Sequence, residues 1–136
     1  MDDVKRTVIA RWLIKAANDL KTAQTMLAVN PPVTDVVCFH AQQCAEKALK
    51  AFLVARDTHA GRTHDLGRLV SICIQLDATF ASLEPSAAIL AGYAVASRYP
   101  DDWRDIPVEE AAAATYEARK VIDFVRNVLV DVDIRE

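Results

Sequence analysis

The chain has 136 residues, of which 52% are hydrophobic and 26% charged, with a formal net charge of −3. Those values suit one compact domain, expected to cover 1–136, and exclude both a disordered chain and a chain-wide electrostatic footprint for long nucleic acid. No apolar run is long enough to cross a bilayer, and Met1-Asp2-Asp3-Val4-Lys5-Arg6 lacks the basic-then-apolar order of a signal peptide. A cytoplasmic location and no membrane association are therefore expected.

Scarce glycine and abundant alanine favour helix throughout. The first helix is predicted from about Lys5 to Val29, with Trp12, Ala16, Leu20, Ala23 and Leu27 as a core stripe. Asn30-Pro31-Pro32 ends it, because a proline cannot continue the ladder and pushes its predecessor out of the α region. A second helix is predicted from Val33 or Thr34 to about Arg56. Its Ala41, Ala45, Ala48 and Phe52 share an apolar face, while His40, Gln43, Lys47 and Lys50 share a polar one.

The turn residues of Asp57 to Arg62 predict a loop. A third helix should start at Thr63 or His64, with Thr63 as N-cap and a stripe of Leu66, Leu69, Cys73, Leu76 and Phe80. Glu84-Pro85-Ser86 opens a fourth, whose inner face is Ala87, Leu90 and Ala94, ending near Arg98-Tyr99-Pro100. The segment from Asp101 to Pro107 is a polar loop carrying Trp103. A fifth helix is expected from about Val108 to Val130, with Ala114, Ala118, Val121, Val125 and Val128 inside. Short connections make neighbouring helices antiparallel, so the fold class is all-α: an up-and-down bundle of four main helices plus one shorter helix.

Cys38, Cys44 and Cys73 lack CxxC spacing and read as buried thiols rather than a zinc site or a disulfide framework. His40 has two readings: a proton-transfer or phosphate-binding imidazole, or a half-buried structural histidine, the latter preferred for want of an activating partner. Lys47 and Lys50 suit phosphate contacts, but Glu46 and Lys50 also match a surface i, i+4 pair. Gln42 and Gln43 suit hydrogen bonds between helices or to base edges. His64, beside Arg62 at a helix start, reads as a capping-segment residue or part of an anion site.

Four blocks in order, Trp12-Leu13-x-Lys15-Ala16-x-x-Asp19-Leu20, Phe39 to Ala51, Thr63-His64-Asp65-Leu66 and Arg98-Tyr99-Pro100-Asp101, resemble the HEPN domain, the higher eukaryotes and prokaryotes nucleotide-binding family. The resemblance spans roughly residues 8 to 130. It implies a helical bundle that forms a homodimer and acts beside a minimal nucleotidyltransferase in a toxin-antitoxin-like pair. Nucleotide-binding or cleft candidates are then His40, Gln43, Lys47, Lys50, His64, Arg98, Tyr99 and Asp101. No metal site and no resident cofactor is expected; a Mg-nucleotide is a possible ligand. Alternative functions are a metal-independent ribonuclease toxin and a stand-alone nucleotide sensor. The family's ribonuclease motif, an Arg followed by a His after four to six intervening residues, is absent: Trp103, Arg104 and Asp105 stand where the His after Arg98 would be.

Overall fold

A computed structural model describes residues 1–94 and 104–130. Five α-helices follow in order: α1 (Asp3–Ala28), α2 (Thr34–Ala55), α3 (Leu66–Leu76), the seven-residue α4 (Glu84–Leu90) and α5 (Val108–Val130). Tight 3-10 turns at Ala78–Leu83 and Ala91–Tyr93 flank α4. There is no strand among the described residues, as an all-α bundle requires. None of these helices is long and apolar enough to cross a membrane.

Helix α1 starts because the Asp2 carboxylate accepts the Lys5 N–H at 2.7 Å, satisfying one of the donors a first turn leaves open. After the Pro31-Pro32 break, the Val33 N–H bonds the Met26 carbonyl at 3.1 Å and brings α2 back alongside α1. Helix α2 is the central element. Thirteen of its 22 residues are buried against five of the 26 in α1, so α2 is covered on most sides by α1, α3, α4 and α5. Small residues make this possible: Ala16 and Ala23 on α1, Ala41, Ala45 and Ala48 on α2, and Ala114 and Ala118 on α5 are all buried. Larger side chains fill the far end, where the Phe80 ring lies 4.3 Å from Phe52 and 4.9 Å from Phe124. Full burial of each such ring contributes about 1.5–3 kcal/mol.

The end of α2 sets the position of the following loop. Asp57 adopts a left-handed conformation with φ 51°. Its N–H bonds the Val54 carbonyl at 3.0 Å, and the Thr58 N–H bonds the Leu53 carbonyl at 2.9 Å. These two bonds form a Schellman cap, in a position glycine usually occupies. The Asp57 carboxylate accepts from Lys5 Nζ at 2.9 Å, which fastens the turn to α1.

Three helix boundaries differ from expectation. Asp65, not Thr63, caps α3: its carboxylate accepts the Arg68 N–H at 3.2 Å, while the Thr63 hydroxyl accepts the Asp65 N–H at 3.1 Å. Helix α3 also stops at Leu76 rather than running through Phe80. Asp77 ends it by turning its carboxylate onto the Thr79 N–H at 3.0 Å and the Thr79 hydroxyl at 2.6 Å, a local alternative to the helical ladder. The same two bonds hold the Asp77 carboxyl below its usual range. Helix α4 ends at Leu90, well short of the expected end near Arg98-Tyr99-Pro100, because the chain tightens into the 3-10 turn Ala91–Tyr93; Arg98, Tyr99 and Pro100 themselves lie outside the described residues.

Candidate functional site

The polar face of α2 is organised by two buried carboxylates. Asp19 reaches across from α1 and accepts from Lys47 Nζ at 2.6 Å. Its other oxygen pairs with His40 Nδ1 at 2.8 Å. Farther along α2, Glu46 accepts from Lys50 Nζ at 3.0 Å and pairs through the same oxygen with His64 Nδ1 at 2.9 Å. Both carboxylates lie inward, with Asp19 8% and Glu46 3% exposed, so the lysine and imidazole heads form the outer layer. An ionised carboxylate only accepts, so each Nδ1 carries the proton and each Nε2 is left for another partner.

A chain of amides supports the second carboxylate. The Gln43 side chain donates to Gln42 Oε1 at 2.7 Å. Gln42, wholly buried, donates at 3.3 Å both to Glu46 Oε1 and to the His64 carbonyl. His64 is thus held at its backbone by Gln42 and at its ring by Glu46, yet 67% of its side chain is exposed. Fixed but open is the arrangement a binding or proton-transfer group needs.

A cavity of about 680 Å³ adjoins this pair, between Trp12 of α1, the end of α2 and the loop from Asp57 to Arg62. Lys50 Nζ sits 5.7 Å from the centre of the Trp12 ring, within cation–π range.

A separate polar cluster lies beside Cys38, in the first half of α2. There Tyr93 Oη donates to Glu110, and Arg104 grips the same carboxylate with two bonds at 3.0 and 2.6 Å. Arg104, followed by Tyr93, holds the Glu110 carboxyl below its usual range. Burial, followed by the bond to Glu110, pushes the Tyr93 hydroxyl up. Burial also pushes the Cys38 thiol up to about 11 and those of Cys44 and Cys73 to about 12, so none supplies a thiolate near neutral pH. No group of three or more His, Cys, Asp or Glu side chains among the described residues is arranged to hold a metal ion.

Of the sequence-derived candidates, His40, Gln43, Lys47, Lys50 and His64 lie together along one seam. Arg98, Tyr99 and Asp101 fall outside the described residues. Glu46 and Lys50 do pair at i, i+4, but Glu46 is buried rather than on the surface, because 42, 45, 46 and 49 form the core-facing stripe of α2. Trp12 is half-buried against the cavity rather than a plain core residue. Asp19 is the residue the pattern most underplays; its signal is a carboxylate placed between the stripe positions Ala16 and Ala23 and next to Leu20.

The HEPN domain profile matches residues 9–129. The crystal structure of TT1696 from Thermus thermophilus is similar, with a TM-score of 0.76 and 30% identity, over 88% of this chain and 96% of that one. The crystal structure of ST0689, an archaeal HEPN homologue, is similar with a TM-score of 0.69 and 25% identity, over 88% of this chain and 95% of that one. No curated protein matches the chain.

Proposed function

Since the chain belongs to the HEPN domain family, we propose that it is a homodimeric nucleotide-binding module acting with a minimal nucleotidyltransferase. The observation that carries this reading is the layered seam of α2: two buried carboxylates beneath an outer row of Lys47, Lys50, His40 and His64. Carboxylates inside and lysine and imidazole heads outside fix the donors before a ligand arrives, which lowers the ordering cost of binding. An anion meeting that row exchanges water for charge-assisted hydrogen bonds.

Calorimetry with ATP and GTP, with and without Mg²⁺, tests the nucleotide reading. Saturable heat with micromolar affinity supports it; no heat at millimolar ligand overturns it. A monomer by light scattering at micromolar concentration removes the dimer, and co-purification from native extract tests the nucleotidyltransferase partner.

A second reading draws on His64. Its Nε2 is left free by the Glu46 pair and stands beside Lys50, a combination suited to general acid–base attack on a phosphodiester. Metal-free incubation with RNA tests it against a His64→Ala control. Equal turnover by the two proteins removes this reading.

A further inference from the structure

The cavity at the end of α2 is built from two kinds of wall. Trp12, Leu53 and Val54 give aromatic and aliphatic lining; Lys50 and Arg62 give cationic lining, with the His64 imidazole beside them. Asp57 is the one acidic residue lining it, and its carboxylate is engaged by Lys5. Behind the lining, Glu46 pairs with Lys50 and His64, so Arg62 carries the positive charge most open to a ligand, in a chain whose net charge is −3. Arg62 has no hydrogen-bond or ion-pair partner among the described residues. A guanidinium left unpaired beside a cavity is a ready bidentate donor to phosphate.

We infer that this cavity takes a free nucleoside polyphosphate, with its base against Trp12 and its phosphates at Arg62, Lys50 and His64. The inference rests on the nucleotide-binding reading above and gives it a place and a selectivity. The volume, about 680 Å³, falls in the range of roughly 300–1,000 Å³ that holds small organic ligands. The loop is fixed at both ends, by the Schellman cap with its Lys5–Asp57 pair and by the Gln42 bond to the His64 carbonyl, so the cavity exists before any ligand enters. No Asn or Gln side chain lines the cavity, and its carboxylate, Asp57, is already engaged by Lys5, so little is left to read a base edge. Stacking on Trp12 accepts any base, since every base has a π-face. Arg62 and Lys50, with the His64 imidazole as a further hydrogen-bonding group, count phosphates. Affinity should rise from nucleoside to monophosphate to triphosphate, while ATP, GTP, CTP and UTP should differ by less than about tenfold.

The sequence contains two tryptophans, Trp12 and Trp103, so Trp103→Phe leaves Trp12 as the sole tryptophan fluorophore. Titration of that variant with ATP and with UTP should give saturable quenching. Inorganic tripolyphosphate should compete with both while quenching far less. In the unsubstituted background, Arg62→Ala should weaken ATP binding by about tenfold in calorimetry. This variant touches only an exposed loop side chain, so it tests the site even if Trp103→Phe does not fold. Arg119→Ala, an exposed cation on α5, should bind ATP as the wild type does. Calorimetric binding with unchanged Trp12 emission and unaltered affinity in Arg62→Ala would overturn this inference and leave the nucleotide reading standing. No heat from any nucleotide overturns both. Binding of a 5′-phosphorylated RNA oligonucleotide without binding of free nucleotides overturns the assignment of a free ligand.

Discussion

Asp19 and Glu46 hold the same set of partners and use it differently. Each is a buried carboxylate bound to one lysine and to the Nδ1 of one histidine. Around Asp19, both partners come from α2, and the His40 side chain is 28% exposed. Around Glu46, the lysine is on the same helix but the histidine arrives from a loop and is 67% exposed. The first arrangement ties two helices together; the second presents an imidazole at a cavity. The origin of the histidine, more than the carboxylate's chemistry, separates a fastening from a binding group.

The largest test of that contrast is Asp19→Ala. It removes the bridge from α1 to both His40 and Lys47 and should lower stability by about 2–4 kcal/mol, a buried-pair loss reduced because Lys47 reaches solvent. A shift in the urea midpoint without a change in slope would report it. A loss below about 0.5 kcal/mol would erase the distinction, since that is the range of ordinary surface substitutions.

Glu46→Gln keeps the shape of the second carboxylate and removes its charge. The expected cost is about 1–2 kcal/mol, from weakened charge-assisted bonds in a buried network. Its sharper readout is local: amide exchange should quicken across residues 58–65 and stay unchanged in α1. Uniform acceleration through both regions would mean that Glu46 is a fastening like Asp19.

A third carboxylate, Glu110, calibrates the pair because it has Arg104 and Tyr93 in place of lysine and histidine. Its folded-state carboxyl is held below the ordinary 4.5. The stability it contributes is therefore present above about pH 4.5 and is lost as pH falls through its depressed folded value. Glu110→Gln should flatten the acid limb of the stability profile modestly, because the pair is close to solvent. An unaltered acid limb would show that Arg104 does not hold it.

The smallest expected change in stability belongs to His64. His64→Ala should stay within about 0.5 kcal/mol of wild type, yet weaken ATP binding by about threefold to tenfold. His40→Ala should reverse the pattern, with a measurable stability loss of about 1 kcal/mol and a smaller effect on binding. Identical profiles for the two variants would break the comparison.

Much of this architecture is legible in the residue pattern. Pro31-Pro32, Pro85 and the apolar stripes mark the helices because each acts locally, within one or two turns. The Thr63-His64-Asp65 boundary misleads because two nearby side chains can each cap, and only backbone geometry selects Asp65. The 3-10 turn carrying Phe80 is hidden for a related reason: over six residues its spacing differs little from that of an α-helix. At the site, the polar face of α2 is visible from its periodicity. The burial of Glu46 is not, since a Glu-Lys pair four residues apart is common on surfaces. The cavity is less legible still, because it joins Trp12 to Arg62 across fifty positions and depends on how one loop folds back.

That loop begins at Asp57, a residue in a glycine conformation whose carboxylate is 81% exposed at the side chain and bound to Lys5. The aspartate side of the pair lies in water while the Lys5 side chain is only 20% exposed, so dissolved ions reach the pair from the Asp57 side and weaken it. Ionic strength thereby gains a second route to ligand affinity. Besides shielding the phosphates directly, salt would loosen a pin at the rim of the cavity, where Asp57 is part of the lining. Glycine at 57 would relax the backbone and cut the pin at once, trading local comfort for a cavity whose rim is free to wander.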